Sequence, residues 1–258
     1  MRQNPWGDVI LNERLGPTAK LYIGTSGWSY KHWTDIFYPS DLPQSKWLKF
    51  YAGRFSTVEI NRSFYRLPSK DTFEAWEKET PEEFIFAVKA SRYITHLKKL
   101  KGTEEAVEKL LENARGLGRK LGPILFQLPA NWHANISRLE DFIRLLPSHY
   151  SYAFEFRHGS WLQEGVYELL RSKNIALAIT DSPNWPTSFE VTASFAFIRL
   201  HGGRILYASK YSDAELSKWA KIIKDLLSRD LAVFVYFNND AYGYAVQNAL
   251  ELKHLLSI

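Results

Sequence analysis

The sequence predicts a single (β/α)₈ barrel, and three observations carry that prediction. Short β-rich runs alternate with helical runs along almost the whole chain. The length, 258 residues, matches one such barrel. Polar residue pairs recur where the β-rich runs end, the position at which this fold carries chemistry.

The elements follow in order. An N-terminal arm, residues 1–20, precedes a barrel domain, residues 21–258. The first strand is Leu21–Ser26, followed by a helix over Ser45–Gly53. The strand Thr57–Asn61 and the helix Lys70–Glu79 form the second unit, and Ile85–Lys89 with Thr103–Gly116 the third. Ile124–Leu128 and Ser137–Leu146 are the fourth, with Ser137 as N-cap three residues before Glu140. Tyr152–Arg157 and Leu162–Lys173 are the fifth; Ala176–Thr180 is the sixth strand, and its Pro-containing connection Asp181–Thr192 carries little helix. Phe195–His201 leads to Asp213–Arg229, whose start carries Ser212 three residues before Glu215; Ala232–Asn238 leads to Tyr244–Leu256. The strands are short and mostly rich in β-branched and aromatic residues, with Gly, Pro, Ser and Asp between elements. Strands alternating with helices pair in parallel through right-handed crossovers, and eight units close into a barrel. An open doubly wound sheet is the alternative, but no Gly-rich phosphate loop follows the first strand and no P-loop occurs.

Composition narrows the function classes. With no cysteine, the chain has no thiolate nucleophile, disulfide or Cys-ligated metal. No apolar run approaches the roughly 18 residues of a membrane span, and the N-terminus lacks the apolar core of a secretory signal, so no membrane association and a cytoplasmic location are expected. The net charge of +5 admits an anionic partner but is spread along the sequence. Nine Trp, fourteen Tyr and sixteen Phe exceed ordinary core needs and point to a ring-lined ligand surface.

Residues two apart on a strand share a face, which groups the polar strand ends. Glu59 pairs with Asn61, Lys89 with Ser91, Glu155 with Arg157, Arg199 with His201, and Asn238 with Asp240, beside Asn239. Thr57, Ala87, Ala153 and Ala232 lie on the same face, while Val58, Val88, Phe154 and Val235 lie on the other. Small residues are therefore expected inside the barrel and bulky ones against the helices, although Phe195, Phe197, Phe234 and Tyr236 share the inner parity. The strand-end loops add Ser26, Trp28, Tyr30, Tyr65, His96, Gln127, His158, Trp161 and Asp181 as candidate substrate contacts. A purely structural alternative is an ionic ring of Glu59, Glu155, Arg157 and Arg199 closing the barrel top.

These segments resemble the YecE-like family, a domain of unknown function. The resemblance rests on GTSGWSY at Gly24–Tyr30, FYP at Phe37–Pro39, TVEINRSFYRLP at Thr57–Pro68 and FAVKAS at Phe86–Ser91. It continues through FQLP at Phe126–Pro129, FEFRHGSW at Phe154–Trp161, RLHG at Arg199–Gly202 and YFNNDAYGYA at Tyr236–Ala245. It implies a TIM-barrel-like fold of uncharacterised activity, with a fold-level likeness to metal-dependent barrels of the endonuclease IV and xylose isomerase type.

Lys89, Arg157, Arg199 and His201 beside Glu59 and Glu155 suit a small phosphate- or carboxylate-bearing substrate. In that reading Glu59 or Glu155 is the general base and His201 the acid or proton shuttle. Neighbouring arginines should hold down the Lys89 pKa. No cofactor is predicted; a divalent ion held by Glu59, Glu155, Asp181, His201 and Asp240 is the variant, though no HxH or HExxH spacing occurs. A serine hydrolase lacks its GxSxG elbow despite Ser26 and Ser91. Two other classes stay open: a nucleic-acid phosphodiesterase stacking bases on Trp28, Trp132 and Trp161, and a non-catalytic ligand-binding barrel.

Overall fold

The β-rich runs become strands and pair in parallel, because each is followed by a crossover long enough to return the chain to the same end. The computed structural model describes residues 20–257; the N-terminal arm, apart from Lys20, lies outside them. The strands are β1 Leu21–Thr25, β2 Thr57–Ile60, β3 Ile85–Lys89, β4 Leu121–Gln127, β5 Tyr152–Glu155, β6 Ala176–Asp181, β7 Phe195–Leu200 and β8 Ala232–Phe237. They form one eight-stranded sheet in the order β1-β8-β7-β6-β5-β4-β3-β2, a (β/α)₈ barrel in a single unit. The helices are α1 Trp47–Ala52, α2 Arg62–Tyr65, α3 Lys70–Glu79, α4 Glu104–Ala114, α5 Ile136–Ile143, α6 Glu164–Ser172, α7 Asp213–Ser228 and α8 Tyr244–Leu255.

Several boundaries differ from the sequence reading, each for a local reason. β4 starts at Leu121, three residues early, through a Gly-Pro pair that reads as loop. Gly122 permits this, since a Cβ there would stand 2.4 Å from Ile85 Cγ2. Pro123, which has no N–H to donate, sits where the β3–β4 register shifts. The N-cap of α5 is Asn135, whose side chain accepts from Arg138 N at 2.9 Å, and Ser137 is already helical. Ser212 and Glu215 form the expected capping box of α7. The connection after β6 carries no helix, as its prolines dictate. The short α2 and a wide π-type turn, Tyr93–Leu97, went unread because each is too brief for helical periodicity.

Two apolar layers separate by parity. Val58, Val88, Phe154 and Val235 pack outward against the helices. Ala87, Ala153, Ala176, Ala178 and Ala232 face the barrel axis, together with Phe195, Phe197, Phe234 and Tyr236. The period-two assignment thus holds, and Ala87, Ala153 and Ala232 face inward as expected, but the expectation of small inner residues fails at Ile85, Leu125, Phe195, Phe197, Phe234 and Tyr236. Rings from β7 and β8 fill the space those alanines leave, large against small, as close packing requires.

The β1–β2 seam closes differently from the other seven. Beyond one bridge between Ser26 and Glu59, the α1 side chain Tyr51 joins the two strands. Its hydroxyl accepts from Thr25 N at 2.9 Å and donates to Thr57 O at 3.1 Å, replacing a ladder bond. Gly24 makes this approach feasible, because a Cβ there would lie 2.2 Å from Thr57 O. Among the described residues no helix is long and apolar enough to cross a membrane.

Candidate functional site

Strand ends deliver five charged side chains to one level above the aromatic plug. Arg199 from β7 is fully buried and grips Glu59 of β2 with two donors, Nε to Oε2 at 2.8 Å and Nη2 to Oε1 at 2.6 Å. Its Nη1 donates to Glu155 Oε2 of β5. Arg157 donates through Nε to the other Glu155 oxygen at 2.5 Å, and through Nη1 to Tyr207 Oη at 3.1 Å. Two carboxylates and two guanidiniums therefore form a continuous, charge-balanced chain across the barrel mouth. Bidentate guanidinium–carboxylate geometry is what makes such burial tolerable.

That balance sets the titration of the groups around it. Burial alone would raise the Glu155 pKa, but Arg157 and Arg199 outweigh it and hold the carboxyl well below its ordinary value. Burial opposes the charge on Arg199, yet Glu155 and Glu59 push its pKa above the usual guanidinium value. His201 is fully buried, and desolvation brings its pKa down to about 3, so the ring is neutral at physiological pH. Asn238 Nδ2 lies 3.1 Å from His201 Nδ1, and the other ring nitrogen, Nε2, lies 3.5 Å from Arg199 Nη1 and 3.6 Å from Glu155 Oε2.

Lys89 at the end of β3 differs from the rest. Among the described residues its ammonium has no hydrogen-bond or ion-pair partner; its nearest recorded contact is the Phe64 ring, 4.3 Å from the centroid. The residue is only 8% exposed, and desolvation followed by the charge of Arg199 lowers its pKa to about 7. Burial therefore adds to the arginine effect expected from sequence. His96, on the turn after β3, is lowered to about 4 by burial and by Lys89, and its Nε2 lies 3.4 Å from Gln127 Nε2.

Other candidates fall into distinct places. Asn61 Nδ2 and Tyr30 Oη both donate to Ser26 O, at 3.1 and 2.5 Å. Ser26 Oγ and Asn61 Oδ1 are buried without a hydrogen-bond partner above the β1–β2 seam, so this corner has unspent polar capacity. Tyr65 is an exposed rim residue. Trp28 packs edge-on against Trp76 of α3, and Trp161 stacks on Phe156 while donating to Trp132 O at 2.7 Å; both serve the outer layer. His158 caps the turn at Ser160. Asn239 donates to Ser209 O and Asn248 Oδ1, fastening the β7 loop to α8. Asp240 accepts from Trp33 Nε1 at 2.8 Å and pairs with His32 at 2.9 Å, tying the β1 loop to β8; burial raises its pKa to about 6. Asp181 is half-buried beside Gly203, apart from the carboxylates of the charged chain.

Two contributors were missing from the sequence reading. Trp185 lies under Arg157, 4.0 Å from the ring centroid, and meets His201 edge-on. Tyr207, at a positive φ of 62°, holds Arg157 and also packs against His201. Both are aromatic residues in strand-end loops, the same signal that singled out Trp28 and Tyr30.

The metal variant does not fit this arrangement. Glu59 and Glu155 are occupied by guanidiniums, and Asp240 is engaged by Trp33 and His32. Among the described residues no group of three His, Asp or Glu is placed to hold an ion.

Comparison with known proteins agrees with the resemblance. The model for a protein of unknown function, DUF72, matches residues 22–258. The UPF0759 protein YunF of Bacillus subtilis (strain 168) is 28% identical, with 92% of this chain and 95% of that protein covered. The UPF0759 protein YecE of Escherichia coli (strain K12) is 29% identical over 57% of this chain and 52% of its own length. The crystal structure of a DUF72 family protein (TM1631) from Thermotoga maritima MSB8 superposes with a TM-score of 0.83 at 31% identity, covering 93% of this chain and all of that one. A DUF72 family protein (EF0366) from Enterococcus faecalis V583, at 22% identity, gives 0.80 over 92% of this chain and 96% of its own, which speaks for the fold. Sequence, register and barrel architecture together place the chain in the DUF72 family.

Proposed function

We propose that the barrel mouth binds a small carboxylate- or phosphate-bearing compound and acts on it by acid–base chemistry. One observation carries the reading: the charged chain is internally neutral, and Lys89 is left over beside it, buried and, among the described residues, without a hydrogen-bond or ion-pair partner. A protonated Lys89 in that position attracts an anion, and Arg157, whose Nη2 makes no hydrogen bond among the described residues, adds a second donor. In this reading the roles differ from those suggested by sequence. Glu155, held ionised by two guanidiniums, is a weak base, and neutral His201 is a weak acid; both position Arg199 and Arg157. Lys89, titrating near neutrality, carries the proton.

The test is calorimetric titration with inorganic phosphate and with malonate at low salt. Binding that weakens at least about tenfold in Lys89→Met supports the reading, an expected loss of one charge-assisted contact of about 1.5–3 kcal/mol. Absence of binding by either probe at millimolar concentration overturns it.

A second reading, nucleic-acid binding, gains from one observation. The loops 61–69 and 90–103 carry Arg62, Arg66, Arg92, Lys98, Lys99 and Lys101 and no carboxylate, with Tyr65 and Tyr93 exposed among them. Charge that looks dispersed along the sequence is gathered on the site face by folding.

A further inference from the structure

We propose that Lys89 is a covalent nucleophile that forms an imine with the carbonyl carbon of its substrate, which makes the substrate class an anionic aldehyde or 2-oxo acid. This deepens the reading above and rests on it.

Geometry is the first support. A lysine that only attracts an anion gains from staying protonated, and neighbouring carboxylates would keep it so. Here the two carboxylates nearest in charge, Glu59 and Glu155, are already engaged by Arg199 and Arg157, and neither makes an ion pair with Lys89. The amine therefore has burial and two guanidiniums against its charge, with Glu59 and Glu155 acting only at a distance. The Phe64 ring at 4.3 Å supplies an apolar wall in place of a hydrogen-bond acceptor. His96, the remaining titratable group nearby, is itself kept neutral. With its pKa brought down to about 7, an amine so placed is neutral in a large share of molecules near neutral pH, where an ordinary lysine is almost wholly protonated. That is the state a nucleophilic lysine requires.

The chemistry balances without a further reactant. The neutral amine's lone pair attacks the carbonyl carbon, and the C=O π pair moves to oxygen as the C–N bond forms. After proton transfer from nitrogen and uptake of one solvent proton, the former carbonyl oxygen leaves as water. The nitrogen lone pair then makes C=N, leaving an iminium that retains one hydrogen. Its positive charge faces Glu59 and Glu155, whose fields favour a cation at this point. Arg157, whose charge acts on Lys89 and whose Nη2 makes no hydrogen bond among the described residues, is assigned the substrate's carboxylate or phosphate.

Reductive trapping tests the proposal. The full-length protein is incubated with glyoxylate and sodium cyanoborohydride, and adducts are mapped by peptide mass spectrometry. The expected result at pH 7.5 is one dominant adduct on the peptide carrying Lys89, formed at least about 100-fold faster than at exposed lysines. The adduct should disappear in Lys89→Arg, which keeps a positive charge at this position but has no amine able to form an imine. An adduct at Lys89 no faster than at surface lysines, or none, overturns the nucleophile. If phosphate still binds in that case, the anion-binding reading stands alone; if phosphate does not bind either, both fall.

Discussion

At the residue scale the charged chain makes Arg199 the most consequential side chain at the site. Replacing it with Met leaves Glu59 buried without its bidentate partner and Glu155 with Arg157 alone, and uncompensated buried charge of this kind costs about 3–5 kcal/mol. Chemical denaturation of Arg199→Met should show a loss of that order, and an unchanged midpoint would refute the assignment of Arg199 as the keystone. The pH dependence has a definite sign. Folded His201 takes up its proton near pH 3, whereas an unfolded imidazole does so near 6.5, so the unfolded chain binds more protons between those values. Stability attributable to His201 is therefore full above about pH 6.5 and drains away as the pH falls toward 3. Glu155, also held low, adds to the loss below about pH 4.5. Lys89 acts on the other side: its folded value near 7 lies below the unfolded value of about 10.4, so its contribution rises with pH across that interval. Urea midpoints measured from pH 4 to 9 should trace this slope, and His201→Asn should flatten the acid limb. The polar types and their strand ends were legible in the sequence, because period two fixes which residues share a face. Which carboxylate meets which guanidinium was not, since that depends on the closure of strands distant along the chain.

At the level of elements, the barrel's period and order could be read directly, and its exceptions could not. Alanines on β3, β5 and β6 announce an inward face, but the phenylalanines of β7 and β8 look misplaced until the two sets are seen to fill one volume. The Gly-Pro start of β4 and the short turns after β2 and β3 were hidden for the opposite reason, being governed by contacts rather than by local periodicity. The Tyr51 bridge is of the same kind. Tyr51→Phe keeps the ring but leaves Thr25 N–H and Thr57 C=O without this partner inside the protein, and should cost about 1–3 kcal/mol. A thermal midpoint equal to wild type would show that the seam is held by packing alone.

For the molecule as a whole, the same face holds the charged chain and the basic loops 61–69 and 90–103. If that surface meets a polyanion, affinity for a fluorescent single-stranded oligonucleotide should fall steeply between 50 and 200 mM salt, and Arg62→Glu with Arg92→Glu should reduce the slope by about two phosphate contacts. Binding that ignores salt, or none at low salt, would reject nucleic acid as the partner. The fold was legible at this scale because alternation and length leave few topologies; the gathering of charge was not, since neighbours on the face are far apart in sequence. The β1–β2 seam carries one more consequence. A cylinder whose staves are laced on seven sides and pinned by a phenol on the eighth has a preferred line of opening. Amide exchange should show it: the Thr25 proton, which depends on Tyr51, should be released to deuterium before the ladder amides of β7 and β8, and sooner still in Tyr51→Phe. Ser26 and Asn61, with their unspent oxygens, stand at the top of that line. That order of exchange would make this edge of the candidate site the first to open and the β7–β8 wall the last.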